Sequence, residues 1–508
     1  MGLSASPRRQ SALTPFLIPC CVNPSKLLCL QLNAPQFSSS RDRSVRTDQP
    51  RPAASSASSP RSPVKAAAGQ VSVDGRSPPF DGMPPARRKR AKKAPAPRGG
   101  GGGGGIDALP DAVLSHTLGF LPSHEAVRTS VLARRWRYLW RSAAALRIIR
   151  DHPWEKNPVP PVKSLKEFVD HLLLLRGGSA LDACEISLAD FDDDDVPHIN
   201  LWIRHVLMSS VRVLTVLVCR DRSPDPQPWF QLQHLPPISH HLTRLKLWHV
   251  WLNDSFLDFS GCTVLEDLEI DSCYLASADA IRSPSIRRLR ISSSCLLGQS
   301  FRNRICTPNL VSLRLEVGYN NRAPVLERMP SLVEAIVTMS SEIDYCYSSN
   351  SGECDYENCE SCYEIEGDSS SCVVLQGLSE AKNLALISDV DVFIFRRDLK
   401  RCPTFSKLKT LLLNEYWCVP ADFSALACIL EHSPVLAKLT LQLFCKGSKG
   451  KIEMKGSPDP MNRSPAISEH LQIVEVQCDV VDERVLNVLK FLNALNIRSY
   501  NTGFTFEE

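Results

Sequence analysis

Four short segments decide the fold: LTRLKLW (Leu242–Trp248), LEDLEID (Leu265–Asp271), IRRLRIS (Ile286–Ser292) and LVSLRLE (Leu310–Glu316). Each has the form L-x-x-L-x-L, with leucine, isoleucine or valine exchanged. Their starts, continued to a weaker segment at Leu332, advance by 23, 21, 24 and 22 residues. Alternation of apolar and polar residues within each segment predicts a strand with one face in a core. A recurrence near 22 residues predicts stacked units, one strand and one return segment each, because a single unit cannot bury its apolar face.

Outward from these four, the pattern recurs at Leu181, Val211, Leu384/Leu386, Leu408, Leu436 and Leu471. The asparagine-or-cysteine position that follows the strand in such repeats is filled by Cys219 and Cys273, but by Val250 and Phe444 elsewhere, which predicts variable return segments. Ahead of the ladder, residues 162–176 carry Leu165, Phe168, Val169, Leu172 and Leu173 at helical spacing, ended by Gly177-Gly178. Behind it, residues 470–492 read as a strand, a turn and an amphipathic helix through Val485, Leu486, Val488, Leu489 and Leu492.

Residues between the core leucines point to the inner face. Arg244, Lys246 and Trp248 form one row; Asp267, Glu269 and Asp271 the next; Arg288, Arg290 and Ser292 the third. Parallel strands lie about 4.8 Å apart, so Lys246, Glu269 and Arg290 can form a lateral charge ladder. Either the rows satisfy one another, or Trp248 with Arg244, Lys246, Glu269, Arg288 and Arg290 anchors a target protein, since tryptophan and arginine dominate binding hot spots.

The stretch LPDAVLSHTLGFLPSHEAVRTSVLARRWRYLWR (Leu109–Arg141) is of another kind. Pro110 suits a first helical position, Asp111 follows at the positive end of the helix, and Leu114 and Leu118 share a stripe that Pro122 ends. Ser123 is expected to cap a second helix, and Val131, Trp136, Leu139 and Trp140 continue the apolar series. Three short helices in about 35 residues are too few to stand alone.

Here the chain resembles the F-box family in its plant leucine-rich-repeat branch. The matching pieces are Leu109-Pro110, the Leu114/Leu118 spacing, Leu121-Pro122, Ser130 to Trp136, and Leu139-Trp140. The resemblance implies docking on a Skp-type adaptor, and through it a cullin, by Leu109, Pro110, Leu114, Leu118, Leu121, Val131, Trp136 and Leu139. Thr117 stands where the family usually carries isoleucine, and Gly119 loosens the first helix. The segment 470–492 resembles the FBD segment that closes many of these proteins. The expected fold is therefore α/β, a three-helix F-box module followed by a leucine-rich-repeat solenoid and preceded by a disordered tail. The expected order is a basic tail with a glycine linker at 1–105, an F-box at 106–150, a solenoid at 162–460 with an acidic insertion at 340–372, and an FBD-like cap at 465–508.

Charge is unevenly divided. Residues 1–105 hold 17 Lys and Arg against 4 Asp and Glu, a net of +13, so a chain total of +4 leaves −9 on the remainder. The cluster Arg87, Arg88, Lys89, Arg90, Lys92 and Lys93 is of nuclear-import type, which predicts the nucleus and/or cytoplasm. An acidic body and a tail without interleaved aromatics argue against nucleic acid as the partner. No apolar run approaches the length of a membrane span. The 19 cysteines suggest reduced thiols, many of them small core residues. In the insertion, Cys359 and Cys362 have the C-x-x-C bite of a zinc site. Cys346, Cys354 and Cys372 supply no second close pair, so an acidic loop without metal is expected. The aspartates at 192–195 read as a solvated run. No P-loop, G-x-S-x-G elbow or H-E-x-x-H is present, so neither catalysis nor a cofactor is expected. The function expected is the substrate-recognition subunit of a Skp–cullin–F-box ubiquitin ligase. The alternative is a nuclear scaffold or transcription-associated binding protein that forms no ligase.

Overall fold

In every segment of the ladder the second and third apolar residues alternate with polar ones, and each segment is a strand with alternating burial. Arg244–Trp248 buries Leu245 and Leu247, and Asp267–Asp271 buries Leu268 and Ile270. A computed structural model describes residues 106–149, 162–189, 191–219, 229–232, 239–298, 301–318, 321–340, 372–389, 392–418, 423–444 and 470–494. All fall in one unit, Gly99–Glu508. Among them, twelve strands form one parallel, open sheet in strict sequence order. They are Ala145–Ile149, Ala183–Ala189, Val213–Cys219, Arg244–Trp248, Asp267–Asp271, Arg288–Ile291, Ser312–Val317, Glu334–Met339, Asn383–Ser388, Thr410–Asn414, Lys438–Gln442 and Ile473–Gln477. Leucine pairs with leucine across the sheet: Leu245 faces Leu268, and Leu268 faces Leu289.

Eleven of these strands lie at the predicted segments. The twelfth, Ala145–Ile149, was not foreseen and lies at the edge, paired with Ala183–Ala189. Its core residues are Ala143, Leu146 and Ile148, the same spacing with alanine in the first place. The matching first residue before Leu384 is Ala381, also buried. The strand that directly follows the F-box-like stretch is thus the first strand of the sheet.

Return segments differ along the chain, as the irregular ladder predicted. Near the start they are the helices Val162–Arg176 and Val196–Met208, and later Ile394–Leu399, Ser424–Glu431 and Glu483–Ala494. In the middle they are extended, and Ala280–Arg282, Arg304–Cys306 and Val325–Leu326 form a second small parallel sheet. Trp202 anchors the first helical pair, fully buried, with its indole Nε1 donating to Asp170 at 2.7 Å. Gly177 and Gly178 end the first of these helices at φ +60° and +77°, a conformation that strains any residue with a Cβ.

Burial corrects some expectations about polar residues and cysteines and bears out others. The run at 192–195 is solvated at Asp192, Asp193 and Asp194, as expected, but not at Asp195. Asp192 and Asp195 form a capping box, Asp195 is buried, and Lys166 pairs with it at 2.7 Å. Cys372 is not part of a loop site; it is buried and its thiol donates to the Arg401 carbonyl at 2.9 Å. Cys273 and Cys295 behave as core residues with thiols turned to the Leu247 and Ile270 carbonyls of the preceding unit. The pair Cys359 and Cys362, with Cys346 and Cys354, lies outside the described residues. The tail at 1–105, with its basic cluster from Arg87 to Lys93, lies outside them too.

Candidate functional site

The N-terminal stretch folds around two proline stops. Pro110 is the N-cap of the helix Asp111–Leu118, one place earlier than expected, and Pro122 in the same way precedes Ser123–Arg128. Ser123 is therefore inside the second helix and does not cap it. Its hydroxyl instead donates to the Arg147 carbonyl at 2.8 Å, covering part of the exposed sheet edge. The third helix is two 3-10 segments, Thr129–Val131 and Arg134–Ser142. Asp111 is fastened to Arg135 at 2.6 Å.

Burial separates the eight residues that the resemblance implicated. Leu114, Leu118, Trp136 and Leu139 are buried inside the chain, where the Ser115 hydroxyl also donates to the Leu139 carbonyl at 3.0 Å. Leu121 is half-buried, and Leu109 and Pro110 are exposed. Val131 is 85% exposed, and its neighbour Leu132 is 70% exposed. Ile106, Val113, Phe120 and Tyr138 are exposed as well, and none of them was among the expected adaptor-binding residues. A helical stripe shows which residues are apolar but not which of them the chain itself covers. Thr117 is exposed, its hydroxyl donating back to the Val113 carbonyl at 2.9 Å. Gly119 is a close approach as well as a weak helix residue, since a Cβ there would meet the Ala145 Cβ at 3.0 Å.

A buried arginine ties this stretch to the sheet. Arg176, at the end of Val162–Arg176, donates to the Trp140 and Ala143 carbonyls at 3.1 and 2.8 Å. Burial lowers its pKa from the ordinary arginine value. It adds a side-chain donor to both carbonyls; the Trp140 carbonyl also accepts from the Ala143 N–H at 3.3 Å.

On the polar face of the sheet the charge ladder is present. Lys246 reaches Glu269 at 2.7 Å, and Arg290 stands 4.0 Å from the same carboxylate. Asp267 is held between Arg244, at 2.8 Å, and Arg288. Burial raises the Asp267 pKa, but the hydrogen bonds from Arg288 and Arg244 outweigh it and hold the carboxyl below its usual range. A depressed carboxylate contributes stability above the unfolded pKa of about 4 and loses it as pH falls through the folded value. Asp267→Asn should therefore lower stability by about 1 kcal/mol at neutral pH. The difference from the wild type should shrink in melts below about pH 4; a gap that widens on acidification would reject this account.

Trp248 stands at the end of the basic row, half-buried beside Asp271 in register. Its buried indole nitrogen has no hydrogen-bond partner among the described residues. That is an uncommon state for a tryptophan, costing about 1–3 kcal/mol. One group of described residues offers a metal-ligand set that the sequence did not suggest: Cys402, Cys428 and His432.

Comparison with known proteins follows this geometry. An F-box domain model matches residues 106–144. The Arabidopsis thaliana F-box/LRR-repeat protein At4g14103 is 30% identical over 269 residues, covering 46% of this chain and 67% of that protein. This chain belongs to the F-box/LRR-repeat family. Within the family it is also similar to the Oryza sativa subsp. japonica MEIOTIC F-BOX protein MOF, 29% identical over 355 residues, 66% of this chain and 70% of that one. With the Arabidopsis thaliana F-box/LRR-repeat protein At4g14096 it shares 29% identity over 258 residues, 46% of this chain, and spans about half (54%) of that relative's length. F-box domains are generally binding modules for Skp-type adaptors, and F-box/LRR-repeat proteins are generally receptors rather than catalysts.

Proposed function

We propose that this F-box/LRR-repeat protein is the substrate-recognition subunit of a Skp–cullin–F-box ubiquitin ligase. The exposure of Val131 and Leu132 within the matched F-box segment carries the reading. Side chains of that size left in water within so short a module suit a surface that a second protein covers. The F-box at 106–150 holds the adaptor through Leu109, Pro110 and Val131, with Val113 and Leu132 beside them. The buried Leu114, Leu118, Trp136 and Leu139 set the shape of that surface.

In this reading residues 162–460 are a leucine-rich-repeat solenoid, 465–508 an FBD-like cap, and 1–105 a basic tail whose 87–93 cluster directs nuclear import. The protein works in the nucleus and/or cytoplasm. The ladder face, with Trp248 among Arg244, Lys246, Glu269, Arg288 and Arg290, receives the target. The subunit supplies proximity and no chemistry, raising the effective concentration of target lysines near the charged ubiquitin carrier. Trp248→Ala with Arg290→Glu should reduce capture of the target at least about tenfold while adaptor capture stays intact. Unchanged target capture would remove the ladder face from the proposal.

One observation favours a second reading, a scaffold outside any ligase. Thr117 places an exposed hydroxyl where the family usually carries isoleucine, which gives up part of an apolar contact. Co-purification of the full chain with a recombinant Skp-type adaptor separates the two: a stable complex supports the receptor, and none supports the scaffold.

A further inference from the structure

The helix Ser424–Glu431 and the turn after Ile394–Leu399 belong to successive return segments. Cys428 lies in that helix and His432 is its C-cap, four residues on, so both share one helical face. Cys402 approaches them from the preceding segment, 26 residues before Cys428 in the chain. The two Sγ atoms and His432 Nδ1 all lie within 4.8 Å of one another, and Cys428 Sγ is 3.9 Å from Nδ1. Tetrahedral zinc, with bonds of about 2.3 Å to sulfur and about 2.0 Å to nitrogen, separates its ligand atoms by about 3.5–3.8 Å. The three donors are thus within about 1 Å of a zinc geometry.

Cys402 packs at the margin of the core, and the Cys402 and Cys428 thiols also face the Pro403 and Leu399 carbonyls at 3.7 and 3.6 Å. Cys273 and Cys295 are fully buried, whereas Cys402, Cys428 and His432 are all half-exposed, open to an ion from solvent. Two sulfurs and an imidazole are a soft to borderline donor set, suited to zinc and poor for magnesium or calcium. Cys402 and Cys428 also sit close enough to share a hydrogen bond. A divalent cation that binds such a pair displaces its protons.

We propose that Cys402, Cys428 and His432 form a zinc site, with water in the fourth position, that fastens two successive return segments together. On binding, each thiol releases its proton to solvent and each sulfur gives a lone pair to the metal. His432 Nδ1, which now donates to the Cys428 carbonyl at 2.8 Å, passes its proton to Nε2 and turns its lone pair to the ion. Two thiolates balance the dipositive charge, so the filled site carries no net charge.

The test is cobalt and zinc titration of the reduced, chelator-treated full chain. The wild type should take up cobalt with a tetrahedral ligand-field band and sulfur-to-cobalt charge transfer, both removed by zinc. Cys402→Ser and His432→Gln should each weaken zinc binding at least about tenfold. Cys359→Ser with Cys362→Ser should leave the cobalt spectrum unchanged. His432→Gln keeps its size at a half-exposed position, and a melt in chelator matching the wild type separates lost binding from lost folding. No tetrahedral cobalt signal in the folded, reduced wild type would overturn the site. A signal that survives substitution of Cys402 and His432, or disappears only with Cys359 and Cys362, would overturn it equally.

Discussion

Replacing Val131 and Leu132 together by aspartate is expected to weaken capture of a Skp-type adaptor by at least about 100-fold and to leave the melting temperature unchanged. Both side chains stand largely in water, at 85% and 70% exposure, so the free chain loses little apolar contact when they change. Burying two such side chains at an interface is worth about 1.5–3 kcal/mol each, and two carboxylates buried in their place add a desolvation cost. About 1.4 kcal/mol is tenfold in affinity, so 100-fold is a lower expectation. The contrasting variant is Leu114→Ala, fully buried, which should cost about 2–5 kcal/mol of stability. Pull-down beside a thermal melt distinguishes the two. Adaptor capture that survives the double aspartate would leave the exposed residues without the role given to them.

A large effect on stability is expected from Asp398→Ala. Asp398 is fully buried at the end of Ile394–Leu399 and accepts three backbone N–H groups, from Val373 at 2.9 Å, Val374 at 2.7 Å and Leu375 at 2.9 Å. Those amides open the short helix Leu375–Leu378, where N–H groups have no partner of their own. Arg397 adds a contact at 3.3 Å. Burial raises the Asp398 pKa, and the three amides with Arg397 oppose that shift. Without the carboxylate three buried donors are orphaned, each costing about 1–3 kcal/mol, while relief from burying a charge returns part of this. A net loss of about 3 kcal/mol or more in denaturant melts is expected. Asp398→Asn, which keeps one acceptor, should lose less. An alanine variant as stable as wild type would mean the amides find other partners.

Much of the fold was legible because a repeated strand imposes its own register. Once Leu245, Leu268 and Leu289 stack, the residues between them must pair, so Lys246, Glu269 and Arg290 meet without further information. The first strand escaped because Ala143 holds the place of leucine, and a small residue leaves little apolar signal even where it is buried. The helix 162–176 and the closing strand and helix were readable from spacing and from glycine punctuation. The choice between covered and exposed residues of the F-box was not. Leu114 and Val131 are both apolar, and only packing against Trp136 and Leu139 decides that one is core and the other surface.

By itself the chain determined eleven of the twelve strands of the main sheet, the order in which they stack, and the family to which it belongs, because these follow from local periodicity and the order of short motifs. Tertiary structure alone decided the fate of isolated polar and sulfur-bearing residues. Lys166 meets Asp195, Arg176 reaches the Trp140 and Ala143 carbonyls, and Cys402 meets Cys428 and His432 across gaps of many residues. A periodic pattern is written into every turn of the chain. A charge or a thiol placed once has no period, and its partner is set by whichever return segment happens to pack beside it.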